Sequence, residues 1–173
     1  MSVSMEVTID DAEVKNLLQQ LGDRARDLSR PMKLAGEHMR FSIEQNFAEG
    51  GRPTKWPVSA RAKRDSGQTL VDTNRLQSSI TYAVGKDSLT IGTNLIYGRV
   101  HQLGINRMVP VGDHLRLIKQ AFGKKLKFPV WVNVERHARH MQLPARPFLV
   151  LQDEDKEEIK FIIRDYLIGL KGD

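Results

Sequence analysis

Apolar residues recur at a spacing of three or four in three stretches of the chain, residues 10–22, 29–50 and 153–170. Each stretch opens beside a residue type that commonly begins a helix, and the first two end at glycine. The pattern predicts three amphipathic helices, each with one buried face. Their apolar positions are Val14, Leu17, Leu18 and Leu21, then Met32, Ala35, Met39, Ile43 and Phe47, then Ile159, Ile162, Ile163, Tyr166, Leu167 and Leu170.

Alternation of apolar and polar positions, which is typical of half-buried strands, appears in other parts of the chain. It predicts strands at residues 3–9 and 148–150, and a hairpin at residues 80–91 with its turn at residues 85–87. Helices packed on an antiparallel sheet define the α+β class. The length is typical of one domain, so we expect residues 1–173 to form a single domain.

The hairpin is followed by a predicted loop, residues 94–104, which carries Tyr97, His101 and Gln102. A spacing of four places Tyr97 and His101 together on one helical turn, against Gln102. These side chains either pin the loop to the sheet through hydrogen bonds or contact a partner, and the sequence favours neither interpretation.

Arg146 lies between Pro144 and Pro147. Because prolines restrict the backbone around it, we expect its guanidinium to point in a set direction. The two candidate ligands are a carboxylate inside the fold and a carboxylate on the next subunit.

A long loop is predicted at residues 50–69, where glycines and prolines precede a basic run. Trp56 either covers an edge of the core or contacts a partner, and we favour the first interpretation. Arg61 and Arg64 belong either to a solvated face or to an interface patch.

The segment at residues 105–142 is predicted to be an insert that projects from the body as an arm. Apolar residues at helical spacing predict a short helix at residues 113–122, before a basic turn at residues 123–125. The run FPVWVNV at residues 128–134 predicts a strand, and its apolar residues are more easily interpreted as buried. Pro129 restricts this strand to a sheet edge or a strand start.

Positive charge is concentrated in the middle of the chain, although the net charge is only +6. Residues 105–146 carry nine Lys or Arg against two Asp or Glu, and residues 52–75 carry six against two. Residues 1–51 and 147–173 are each net −3. This arrangement suits a polyanion or the acidic face of a neighbouring subunit. The candidate contact residues in the insert are Lys124, Lys125 and Lys127.

No constellation of catalytic residues is visible in the sequence. The absence of cysteine excludes disulfides, thiol nucleophiles and thiolate zinc sites. Phosphate-binding, dinucleotide-binding and Gly-x-Ser-x-Gly motifs are also absent. His137 and His140 would share a helical face and could bind zinc with His101 or His114, but adjacent arginines disfavour a cation. We expect no active site, no metal and no cofactor. A membrane-spanning run and a secretory leader are not apparent either.

Four motifs in a fixed order resemble those of the phage virion morphogenesis family, the tail-completion proteins of Mu-like and P2-like phages. They are GGRPTKWPVSARA at 50–62, LVDTNRLQSSI at 70–80, TIGTNLIYGRVHQLG at 90–104 and LPARPFL at 143–149. The resemblance covers most of the chain, from the helix near residue 30 to the one near 165. The chain departs from it at residues 105–142, which are longer than the link expected in compact members.

The resemblance implies a structural protein that completes or terminates the phage tail and joins it to the head through a homo-oligomeric ring, with sixfold symmetry as in phage tails. Its expected partners are copies of itself, the tail tube, a terminator or head connector, and DNA passing through the ring. Its expected location is the virion tail or neck, after assembly in the host cytoplasm. The alternative is a free-standing nucleic-acid-binding protein that uses the basic insert with Phe128 and Trp131.

Overall fold

The computed structural model of the chain describes residues 11–169. Within this range it contains six helices and three antiparallel strand pairs, which confirms the α+β class. The strand predicted at residues 3–9 lies outside the described residues. The helices are α1 Ala12–Ala25, α2 Ser29–Glu49, α3 Ala60–Asp65, α4 Arg75–Ser78, α5 Ile96–Leu103 and α6 Asp153–Ile168, and the strands are β1 Ile80–Val84, β2 Leu89–Thr93, β3 Ile105–Val111, β4 His114–Ala121, β5 Lys124–Val134 and β6 His137–Leu143.

Helix α2 contributes more buried apolar side chains than any other described element of the body, by which we mean residues 11–104 and 144–169. It ends where the chain turns at Gly50, whose φ of 72° is readily adopted by glycine. The predicted stripe is confirmed, since Ala35, Met39, Ile43 and Phe47 are all buried. The aromatic centre of the core, with Phe47 against two further rings, joins α2 to distant parts of the chain.

A buried carboxylate ties α6 to α2. Asp155 is 1% exposed and accepts hydrogen bonds from the Ser42 hydroxyl and the Gln152 backbone N–H, both at 2.9 Å. His38 Nε2 lies 3.0 Å from its other oxygen. Because Asp155 also closes a capping box with Gln152 at the positive end of α6, its negative charge is well placed.

Helix α1 is longer and more exposed than its pattern predicts. It continues through Gly22 to Ala25, so the predicted end at Gly22 is wrong. Val14, Leu17 and Leu18 are each more than half exposed, because α1 packs mainly beside α6 and has no described element over its other face.

Four local predictions are wrong. Residues 94–104 contain helix α5, the loop at residues 50–69 contains helix α3, residues 148–150 form no strand, and the strands form three separate pairs instead of one sheet. The predicted hairpin is confirmed as β1 and β2, with Tyr82 opposite Ile91. The 148–150 segment is instead held by side-chain hydrogen bonds, which an alternation pattern does not reveal.

Residues 105–143 form a projecting two-stranded ribbon, which we call the arm. β3 pairs with β6, and β4 pairs with β5, so the chain runs out and back along the same line. At about 3.3 Å per residue, each of the two paired segments of the arm has an extended length of roughly 55 Å. The predicted helix at residues 113–122 is wrong, since strand pairing and a tight turn override the local spacing. Phe122 and Gly123 form that turn with φ of 50° and 76°.

Candidate functional site

The arm exposes large apolar side chains that a folded chain usually buries. Phe122 is fully exposed, Phe128 is 71% exposed and Trp131 is 64% exposed. Leu115 and Met108 are also more than half exposed. The strands of the arm contact each other extensively and no other described element to a comparable degree. The arm therefore offers a surface that the described body does not cover.

Both faces of the outer part of the arm carry apolar side chains, as the register of β4 and β5 shows. Residues directly opposite in an antiparallel pair share a face, so Leu117 and Trp131 lie together on one side. Ile118 and Val130 lie together on the other side. The register shifts beyond Ile118, opposite the part of β5 that contains Pro129. A two-stranded ribbon has no second layer to cover it, so neither of its faces is buried by the ribbon itself.

Positive charge surrounds the outer end of the arm. Lys124 and Lys125 begin β5 directly after the turn, and both are exposed. Lys127 is also exposed, and its Nζ lies 5.9 Å from the centroid of the Phe128 ring. The three predicted contact lysines are therefore brought together beside exposed aromatic rings.

A cleft in the body, which we call the α5 cleft, brings together four of the predicted residues. It has a volume of about 340 Å³ and lies between α5 and the segment from α3 to α4. Arg61, Tyr97, His101 and Arg146 all line it. Tyr97 and His101 stack edge to face with ring centroids 6.1 Å apart, which confirms that they share a helical turn.

Arg146 is the most deeply placed cation of the α5 cleft, with 4% exposure. Its Nε donates to the Pro57 carbonyl at 2.8 Å, and its backbone N–H donates to the His101 carbonyl at 2.7 Å. Within residues 11–169 no carboxylate lies within ion-pair distance of it, so of its two candidate ligands the carboxylate inside the fold is not found there. Burial lowers the pKa of its guanidinium.

His101 is half-buried beside Arg146. Its Nδ1 is fully buried, and no hydrogen-bond partner for this atom is found in the described part of the chain. Burial, and then the charge of Arg146, lower the pKa of the imidazole below its ordinary value. The ring is therefore biased toward its neutral form.

Other predicted contact residues serve the fold of the body. Trp56 is buried against Phe47 and its Nε1 donates to the Pro147 carbonyl at 2.9 Å, as the favoured interpretation holds. Gln102 turns away from Tyr97: its Oε1 accepts from the backbone N–H groups of Phe148 and Leu149, and its Nε2 donates to the Leu149 carbonyl.

Arg61 and Arg64 differ although both lie on α3. Arg61 donates to the Gln68 and Val71 carbonyls and lies 3.5 Å from the Asp72 carboxylate, so it holds one wall of the α5 cleft. Arg64 is exposed and pairs with the neighbouring Asp65 at 2.8 Å. Only Arg61 reaches the cleft.

The residue types of a hydrolytic triad do meet, but in an order that does not activate a nucleophile. Ser42 donates to Asp155 instead of to His38, and it is 2% exposed.

Among residues 11–169, no group of three or more His, Asp or Glu is placed to hold a metal ion. His137 and His140 lie on strand β6, so the helical face they were predicted to share is wrong.

Sequence reasoning missed the exposure of the FPVWV run. Phe128, Val130 and Trp131 were interpreted as buried, yet each is more than half exposed. The signal that could have shown this is the setting of the run, since the insert around it carries eight Lys or Arg against two Asp or Glu. None of the helices within residues 11–169 has the length and apolar character to cross a membrane.

Comparisons with known proteins match nearly the whole chain. The chain is 29% identical over 163 residues to the "Mu-like prophage FluMu G protein 2" of Haemophilus influenzae, and the match spans 94% of this chain and 95% of that protein. No solved structure matches significantly. The model of the phage virion morphogenesis family matches residues 9–168, and the chain therefore belongs to this family.

Proposed function

We propose that the protein is a structural subunit that completes or terminates the phage tail and joins it to the head as a homo-oligomeric ring. The observation that carries the proposal is the arm, whose two apolar faces are left uncovered by the described body. Membership of the virion morphogenesis family supports a structural role in the particle. In this role the protein acts by contact and transforms no substrate.

The physical argument begins with the stability of the arm. A two-stranded ribbon alone is marginally stable in water, and contiguous exposed apolar surface generally marks an interaction site. An arm with apolar side chains on both faces gains stability when it lies between two other surfaces. In a ring each subunit has two neighbours, so an arm from one subunit can be covered by the next ones.

Charge complementarity favours a contact between the basic arm of one subunit and an acidic surface of the next subunit. The arm carries eight Lys or Arg against two Asp or Glu, whereas residues 147–173 carry seven Asp or Glu against four Lys or Arg. Contacts between different faces of identical subunits are heterologous, and they close into a ring when the rotation divides a circle. Sixfold symmetry, which phage tails have, is the ring size we propose.

The experiment measures the mass of the purified chain in solution, alone and with tail tubes. A matched variant replaces residues 112–136 with Asn-Gly, because Val111 and His137 are opposite each other and a two-residue turn can join them. Phe41→Ser, which removes a half-exposed ring from helix α2 of the body, serves as the control.

We expect closed oligomers or tail-bound oligomers from the unmodified chain and the control, and monomers that do not bind tails from the arm-shortened variant. Equal assembly of the arm-shortened variant would contradict the proposal.

Nucleic-acid binding is the second candidate, because Phe122, Phe128 and Trp131 are exposed beside lysines. Basic surface with exposed aromatic rings suits backbone contact and base stacking. Binding of single- or double-stranded DNA by the isolated chain, with a steep loss of affinity as salt rises, would favour this candidate. In a ring, the same lysines can face DNA in the central passage.

A further inference from the structure

We propose that the α5 cleft is a receptor for a carboxylate side chain, an Asp or Glu presented by a second protein in the assembled particle. The proposal rests on the proposed function, because it takes the carboxylate to come from a subunit that the protein meets during assembly. It concerns the body and does not depend on the arm.

The first observation is the unpaired guanidinium of Arg146. The group is almost fully buried, yet only its Nε has a partner, the Pro57 carbonyl. Within residues 11–169, no oxygen accepts a hydrogen bond from its two terminal nitrogens. These terminal nitrogens therefore reach the open cleft, where a carboxylate can pair with them in place of water.

The second observation is the imidazole of His101, which lines the same cleft and has an unpaired, buried Nδ1. Arg146 donates its backbone N–H to the His101 carbonyl, so the two residues hold fixed positions relative to each other. An arriving anion would neutralise the charge of Arg146 and would favour protonation of this imidazole. One wall of the cleft therefore holds an imidazole with an unpaired ring nitrogen beside a guanidinium whose terminal nitrogens have no acceptor within residues 11–169.

The charges that line the cleft fit an anion that pairs with Arg146. Asp72 already pairs with Arg61 at 3.5 Å, and Arg75 is exposed at the rim, so within residues 11–169 Arg146 is the buried cation of the lining that lacks a carboxylate partner. A guanidinium binds a carboxylate through two parallel hydrogen bonds. Carboxylates are the anions that the side chains of a protein partner present, and phosphate, which a guanidinium also binds, is the comparison anion in the test.

The first experiment titrates the purified full chain with acetate at constant ionic strength and follows the side-chain NMR signals of His101 and Arg146. Sodium chloride and inorganic phosphate are the comparison anions. We expect a saturable shift with acetate and a rise in the pKa of His101 as the site fills. The absence of a saturable acetate shift, or a larger response to phosphate, would overturn the proposal.

The matched variant is Arg146→Gln, because the Gln amide nitrogen takes the place of the Arg Nε and can still donate to Pro57. It removes only the charged end of the side chain. We expect acetate binding to weaken by about tenfold or more, which is the value of a charge-assisted pair. Arg30→Gln, at an exposed position of α2, should bind acetate as the unmodified chain does.

Assembly of Arg146→Gln identifies the source of the carboxylate. Loss of self-association places it on a second copy of the chain, and loss of tail binding with intact self-association places it on another virion protein. Normal assembly of this variant in both respects would overturn the proposal, while the arm-dependent function would stand. Acetate binding without any assembly would instead count against the proposed function and leave the cleft as a carboxylate site.

Discussion

The two tryptophans of the chain differ in burial, and this difference illustrates how the body differs from the arm. Trp56 is 5% exposed, packs against Phe47 and donates a hydrogen bond to Pro147. Trp131 is 64% exposed on a ribbon that has no covering layer in the described chain. The core of the body around Trp56 is therefore packed and hydrogen-bonded within the subunit, whereas the aromatic rings of the arm have no cover from the described chain.

The largest expected effect comes from removing each tryptophan in turn. Trp56→Ala should lower the free energy of unfolding of the body by about 3–5 kcal/mol, because it empties a packed aromatic site. Trp131→Ala should change it by no more than about 0.5 kcal/mol. Denaturant unfolding of both variants measures the contrast, and equal losses would show that the arm packs within its own subunit.

The two glutamines at residues 102 and 120 sharpen the same comparison. Gln102→Ala leaves the backbone N–H groups of Phe148 and Leu149 unpaired, at a cost of about 1–3 kcal/mol. Gln120 is exposed on β4, so Gln120→Ala should leave thermal stability almost unchanged. A similar loss from both changes would argue against the role given to Gln102.

Charge reversal of the arm lysines tests assembly apart from stability. Replacing Lys124, Lys125 and Lys127 with glutamate should abolish or strongly reduce assembly, while the unfolding free energy stays within about 0.5 kcal/mol. Sedimentation of the variant with and without tail tubes measures the first effect, and thermal unfolding measures the second. Intact ring formation and particle completion would remove the lysines from the interface.

The smallest expected effect is a pH dependence that originates at His101. Its pKa is lowered by burial and by Arg146, so the unfolded chain binds more protons and stability falls as the pH drops below about 6.5. His101→Gln should lose less stability than the unmodified chain between about pH 7.5 and pH 5.5. Identical pH profiles of thermal unfolding would exclude this contribution.

The sequence predicted the elements whose pattern is local. The stripe of α2 and the hairpin of β1 and β2 follow from regular spacing and from glycine-containing turns. The helix predicted at residues 113–122 failed because its apolar spacing fits a helix, although its real partner is a strand downstream. Local spacing cannot show which distant segment will pair with it.

The candidate residues show the same limit. The sequence placed Tyr97 and His101 together, because a helical turn decides their separation. It could not show that Arg61 and Arg146, far apart in sequence, would line the same cleft, or that Gln102 would turn to the opposite side. Those positions depend on packing between segments distant in the chain.

Hydroxyl-radical footprinting of the two tryptophans, in the free subunit and in the assembled tail, tests the central claim most directly. In the free subunit we expect rapid oxidation of Trp131 and slow oxidation of Trp56. On assembly Trp131 should become protected, and Trp56, which is buried in both states, should not change. Equal oxidation of Trp131 before and after assembly would contradict the claim that the arm is covered by other subunits.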